Sequence, residues 1–396
     1  MNKLIKHVNS SAQLLLLLGG IGAIASAAAN GEHLIESQDL KITKWNPEKP
    51  WRELHDPRTA LNDPDHYAWQ LFVSLNWPAN EKRCKPNKKK WLGEEGPVVW
   101  EVWREKTQTF LADAQTPKSW KLGCDQGNVI ALPSGVYSIE EDEGVYVNRT
   151  QYNYTRDNKL YSLDQQERLV ANGVEDLSFP LGSKSVKSSW VVINEIDKPR
   201  YHWHEAIRNG ETVIYGLTAL HIVSKENPTW FWSTFEHVDN ESRWSQVYPE
   251  AFLGWQVPSK DSAACPSYNL SCNEIPVGYE LEGTKWKYFR LRGTQTGFVD
   301  TRGRPTLLTN SRIEYKFDQQ TMSCISCHAA ATKGLTGPPM PVLGGPGTVN
   351  EQNLFHGYTG TLDPAIFEDS NGELIPYLGL DYVWMLRNAK RESDQP

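Results

Sequence analysis

Cysteine and methionine are scarce in this chain, six and four among 396 residues. Long apolar runs are scarcer still. The stretch "LLLLLGGIGAIA" (14–25) falls short of the roughly 20 residues of a membrane span, and no later run of about eighteen apolar residues follows it. Lys3 and Lys6 precede this stretch and "ASAAA" (25–29) ends it, so residues 1–29 read as a signal peptide cleaved after Ala27 or Ala29. No cysteine lies at its end, which excludes a lipoprotein anchor. Surplus positive charge is also missing. The formal net charge of −7 becomes −9 when the two lysines leave with the signal, which disfavours nucleic acid as a partner. "GIGAIA" (20–25) matches the dinucleotide fingerprint, but no strand precedes it and it lies in the segment to be cut off. A Gly-x-Ser-x-Gly turn and a fixed internal repeat are absent, and "LGGPGT" (343–348) lacks the lysine of a phosphate loop.

What is present describes an exported globular chain. Apolar residues make up 39% and charged residues 22%, which excludes a disordered or fibrous protein. The length accommodates two domains. Sixteen Trp and sixteen Tyr scatter along the chain, as core and sheet packing requires, and do not line one short segment. Cys84, Cys124, Cys265 and Cys272 form an even set suited to disulfides. Four cysteines allow three pairings, and the one expected joins Cys265 to Cys272 across the short loop "CPSYNLSC", with Cys84–Cys124 as the longer bridge.

The remaining two cysteines stand in "SCISCH" (323–328). Three chemistries use this spacing. Zinc needs a second close pair of ligands, and Cys265 and Cys272 are better used in a disulfide. A dithiol redox centre needs a βαβ setting with the first cysteine opening a helix, whereas "SRIEYKFDQQTMS" (311–323) reads as a helix already running into the motif. Covalent haem attachment fits: on a helical turn Cys324 and Cys327 share one side, ready for the two vinyl groups of one porphyrin edge. His328 then serves as the proximal iron ligand. "SRIE" offers a capping box with Ser311 as N-cap and Glu314 three residues on, and Ile313, Phe317, Cys324 and Cys327 recur at helical spacing. "LGLDYVWMLRNAKR" (378–391) reads as an amphipathic closing helix.

On these residues, 308–396 resembles a class I c-type cytochrome domain. The resemblance implies one covalently attached haem c, with Pro338, ten residues past His328, laying its carbonyl against the free ring nitrogen. It also implies a distal methionine from a loop before the last helix, but no methionine lies between residues 341 and 384. Met340, Met385, His356 or no residue at all are the alternatives for the distal position.

Residues 30–307 carry no catalytic motif. "NDPDHYAWQLFVSLN" (62–76) reads as a capped helix, "PVVWEVWREKTQTFL" (97–111) has helix-compatible spacing, and later stretches such as "SSWVVINEI" and "TVIYGLTALHIVS" read as strands. "HIVSKENPTWFWSTFEHV" (221–238) predicts a hairpin turning around Lys225–Thr229. His202 and His204 in "HWHEAIR" read as sheet or surface histidines, while His221 and His237 are first candidates for a distal group contributed across a domain interface. The expected architecture is α+β: a β-rich domain with a few helices over 30–307, then a small all-α, cytochrome c-like domain over 308–396. The expected function is one-electron transfer in a bacterial periplasm or outside the cell, to or from a redox protein or a small-molecule donor or acceptor, with no membrane span after signal cleavage. The alternative is a haem oxidoreductase, peroxidase-like or substrate-oxidising, with an open distal iron site.

Overall fold

A seven-stranded antiparallel sheet organises the chain. The computed structural model describes residues 34–36, 38–124, 130–132, 143–240, 276–314, 317–318, 321–335 and 355–392. The signal segment, Cys265, Cys272, Pro338 and Met340 lie outside these residues. β1 (Ala79–Asn80) and β2 (Lys85–Pro86) form a small ladder of their own. The large sheet comprises β3 (Arg104–Glu105), β4 (Glu143–Val147), β5 (Lys184–Val192), β6 (Trp203–Arg208), β7 (Glu211–Ser224), β8 (Phe231–His237) and β9 (Phe289–Gln295). Its order is β3-β4-β5-β7-β8-β9, with β6 paired to the first half of β7. The predicted β7–β8 hairpin forms, turning between Ser224 and Phe231. β6 and β7 meet at Asn209-Gly210, both at positive φ (53° and 84°), the pairing that matches the twist of a two-residue hairpin.

Both faces of this sheet are covered, which is why β8, "FWSTFEH", is buried at every position. Phe231 and Phe235 face one core, where α2 (Pro64–Leu75) follows α1 (Pro57–Asn62) and lays Tyr67, Trp69 and Phe72 on the strands. Trp69 meets Phe235 edge-on at 5.0 Å between centroids and Phe72 meets it at 4.5 Å. Each such ring, fully buried, contributes about 1.5–3 kcal/mol. Trp232 faces the second core with residues of α5 (Arg149–Asp157) and α6 (Leu163–Ala171), whose first turns are capped by Asn148 and Ser162. "PVVWEVWREKTQTFL" is not one helix. It divides into a 3-10 turn (Val99–Val102), β3 and the four-residue α3 (Lys106–Thr109), because Arg104 and Glu105 pair with β4. Beyond it, α4 (Trp120–Cys124) delivers Cys124 to Cys84, and the expected disulfide between them is present.

The small all-α domain expected over 308–396 is not there. Among the described residues this stretch holds one α-helix, the six-residue α7 (Cys324–Ala329), with β10 (Thr332–Gly334) paired to β11 (Tyr377–Gly379). No helix runs into the motif among the described residues: 310–314 make a single turn, capped by Asn310, whose Oδ1 accepts from Arg312 and Ile313, and 321–323 are not helical. Ser311 instead donates through N and Oγ to Glu236. No closing helix forms either. Asp381 and Tyr382 hold φ of 49° and 67°, the left-handed region, which stops a right-handed helix. Asp381 is drawn there by Phe179 N, Trp230 Nε1 and Lys225 Nζ, and only a 3-10 turn, Trp384–Asn388, follows. Leu378, Leu380, Trp384 and Leu386 share the second core with Tyr154, Leu169 and Trp232.

Gly182 tests one close approach in this framework. It holds φ of +80°, and an added Cβ would run into Leu40. Gly182→Ala should cost about 1–3 kcal/mol, read as a lower urea midpoint at unchanged slope. An unchanged midpoint would show that neither the backbone nor the Leu40 contact constrains this turn.

Candidate functional site

Ser323 starts α7 as its N-cap, its Oγ accepting from Ser326 N. One helical turn then sorts the motif by side. Ile325 and Ser326 are fully buried, Ser326 Oγ donating to the Gly360 carbonyl at 2.7 Å, whereas Cys324, Cys327 and His328 are only half-buried. Gln295 at the end of β9 clamps the turn to the sheet, donating to Ser323 Oγ and accepting from Ile325 N. Cys324, Cys327 and His328 therefore share the less buried side of a fixed turn, neither thiol in a disulfide and Cys324 Sγ donating to the Leu308 carbonyl at 3.2 Å.

His328 is oriented by two contacts. Its Nδ1 donates to the Tyr382 carbonyl at 2.7 Å, and the Trp232 ring lies 4.5 Å from it between centroids. A proton committed to Nδ1 leaves Nε2 with its lone pair outward, the state a metal-ligating imidazole needs. Burial lowers the imidazole pKa to about 4, against the pull of the Tyr382 carbonyl, so the ring is neutral near pH 7. Burial likewise raises Cys324 well above the ordinary thiol value and Cys327 to about 12, with the Glu314 charge adding to both. Trp384 Nε1 donates to the Cys327 carbonyl at 3.0 Å.

The sheet beside the motif carries charge. Lys187, His221 and Thr234 are cross-strand partners on β5, β7 and β8, two positions along from Trp232 and therefore on its face. His221 Nε2 meets Glu314 Oε1 at 2.8 Å. Burial alone would raise the Glu314 carboxyl, but His221 and Lys187 hold it below its ordinary value. Lys187, His221 and Glu314 all act electrostatically on His328.

No family model, curated protein or solved structure matches this chain.

The sequence-selected residues thus fall into three groups. Cys324, Cys327 and His328 converge with His221, which the sequence singled out, and with Lys187 and Glu314, which it did not single out as charges beside the motif. His237 goes elsewhere, stacked on Tyr201 at 3.9 Å with Nε2 on the Arg200 carbonyl. Met385 is a buried member of the second core, and His356 Nδ1 stands 3.9 Å from Asp318. His328 Nδ1 meets the carbonyl of Tyr382, 54 residues on, while Pro338, to which the resemblance gave that contact, lies outside the described residues. Nothing local to the motif announces Tyr382, because its carbonyl is aimed by a left-handed backbone.

Proposed function

We propose that this chain is an extracytoplasmic monohaem c-type protein that passes single electrons through a haem held at Cys324, Cys327 and His328. The observation that carries the reading is His328 itself. Its Nδ1 is committed to a backbone carbonyl while Nε2 is left for a metal, on a turn that presents two thiols beside it. Cys324 and Cys327 would hold the haem by thioethers, each thiol adding its sulfur to one carbon of a vinyl group and its proton to the other, so that no oxidant would be needed. Bound there, the haem iron supplies a one-electron couple between a redox protein or small-molecule donor and an acceptor. The chain's own residues set its surroundings. Trp232 excludes water from one side of His328, the Tyr382 carbonyl raises the basicity of the ligand, and Lys187 and Glu314 place opposite charges nearby.

One finding supports the compartment: a Cys84–Cys124 disulfide is formed. No helix among the described residues is long and apolar enough to cross a membrane. The attachment proposed here stands outside the class I domain, since that helical frame is absent.

One observation favours a second reading, a haem oxidoreductase. The His221–Glu314 pair beside the motif could relay a proton to a small oxidant at an open iron position. Absorption spectra of the protein matured with haem c, oxidised, reduced and reduced under carbon monoxide, separate the readings. A low-spin spectrum indifferent to carbon monoxide is expected for a carrier. Ready carbon monoxide binding would shift the assignment to the oxidoreductase, and no covalent haem would overturn both.

A further inference from the structure

We propose that Glu101, His202 and His204 form a binding site for one divalent first-row transition-metal ion, separate from the residues assigned to haem. His202, the residue just before β6, and His204 within it are two apart in extended backbone and turn to the same side, both toward Glu101. Their Nε2 atoms each lie 2.8 Å from one atom, Oε1 of Glu101, and the donor atoms of the three residues lie within 4.8 Å of one another. The carboxylate is fixed independently. Its other oxygen accepts from Val98 N at 2.8 Å, across the 3-10 turn Val99–Val102. Trp190 packs within 6 Å of both imidazoles and Trp286 within 6 Å of His202, so the donors are held by rigid neighbours.

Two imidazole nitrogens and one carboxylate oxygen are a donor set for zinc, iron(II), cobalt or nickel, not for calcium or magnesium. Binding would shift each Nε2 proton that now points at Oε1 to the Nδ1 of the same ring, so that both imidazoles stay neutral and present an Nε2 lone pair. Ligand atoms around a tetrahedral ion stand about 3.3 Å apart, so each 2.8 Å contact must open by about half an ångström. His204 can yield, because its side chain remains 18% exposed while Glu101 and His202 are buried. β6 is hydrogen-bonded only to β7, so His204 also gives the ion its way in. One charge opposes the ion. Lys285, in the 3-10 turn Lys285–Tyr288, acts on both Glu101 and His202, and itself feels Glu95 and Lys90.

The test is zinc titration of the chelator-stripped full chain against a chromophoric competitor, with haem iron counted separately. One zinc per chain is expected. His204→Ala and Glu101→Gln should each weaken binding more than about tenfold. Lys285→Gln should tighten it, a response that a purely structural hydrogen-bond network would not give. Failure of the wild type to bind zinc, or an affinity unchanged in H204A and E101Q, overturns the site. If these variants do not fold, zinc-edge X-ray absorption of the wild type decides. Two imidazole nitrogens with a carboxylate oxygen support the assignment, and sulfur or all-oxygen ligation defeats it. Because none of these residues belongs to the Cys324–His328 turn, the result stands whether or not haem is attached there.

Discussion

Replacing both thiols, Cys324→Ala with Cys327→Ala, should abolish denaturant-resistant haem completely while leaving the fold intact. Each thioether depends on one sulfur, so a single Cys327→Ala should retain haem by one bond at most. The turn itself is held by other side chains. Ile325 is buried in the second core, Ser326 binds the Gly360 carbonyl, and Gln295 grips Ser323 and Ile325. The unloaded wild type and the double variant should therefore unfold at similar denaturant concentrations. The measurement is haem staining of denatured, electrophoresed protein after co-expression with a haem c maturation system. Stain persisting in the double variant would place the cofactor elsewhere and end the assignment. His328→Ala probes the third element: any haem retained should lose its low-spin spectrum, because the Nε2 that Tyr382 keeps available is gone.

Glu226→Ala should be the most destabilising single change away from the motif, at about 3–5 kcal/mol. The Glu226 side chain is completely buried at the end of β7, where it accepts from Tyr67 Oη at 2.6 Å and Ser224 Oγ at 2.5 Å and pairs with His55 Nδ1 at 2.6 Å. Lys184 Nζ, equally buried, lies 4.0 Å away. Truncation leaves that ammonium without its counter-charge and strands three hydrogen-bonding groups in an apolar surround. Urea unfolding measures the loss, and a change under 1 kcal/mol would show that Lys184 needs no such partner. The same carboxylate predicts the acid limb. Burial alone would raise its pKa, but the His55 hydrogen bond, the Lys184 charge and Ser224 together hold it below the ordinary value. A depressed carboxylate binds fewer protons folded than unfolded. Its contribution is thus complete above the unfolded pKa of about 4.3 and is lost as the pH falls through the folded value. Glu226→Gln should flatten stability against pH in that window.

How much of this was legible depended on whether a signal was local. The β7–β8 hairpin and α2 could be read from strand composition, turn residues and Pro64, because each is decided within about fifteen residues. The Cys84–Cys124 bridge was one of three pairings open to four cysteines, favoured by the short spacing of the other two. The C-terminal quarter misled. "LGLDYVWMLRNAKR" has helical periodicity, yet Leu378 pairs with β10, and Asp381 is claimed by Lys225, Trp230 and Phe179 from far along the chain. Tertiary polar contacts overrode propensity, as they did at Ser311, whose N and Oγ donate to Glu236 while Glu314 Oε2 accepts from Asn310 N one residue earlier. At residues 323–328, two cysteines and a histidine at fixed spacing were enough to name the atoms proposed for haem attachment. The charges beside it were not readable, because Lys187, His221 and Glu314 come together only through sheet register. The His202–His204 pair was visible, but its third member lies 101 residues earlier. The Asn209-Gly210 turn was the available clue that these histidines begin a hairpin strand.

The hydrogen bond between His328 and Tyr382 also sets an order of events in time. The carbonyl that aims the imidazole belongs to a residue made 54 positions later. At typical synthesis rates of about 5–20 residues per second, that is an interval of about 3–10 s. During it the cysteine pair exists, but the segment that will close over its neighbour does not. A nascent chain thus presents its thiols as an open peptide first. The segment that carries Tyr382, arriving later, then fixes the orientation of the His328 ring.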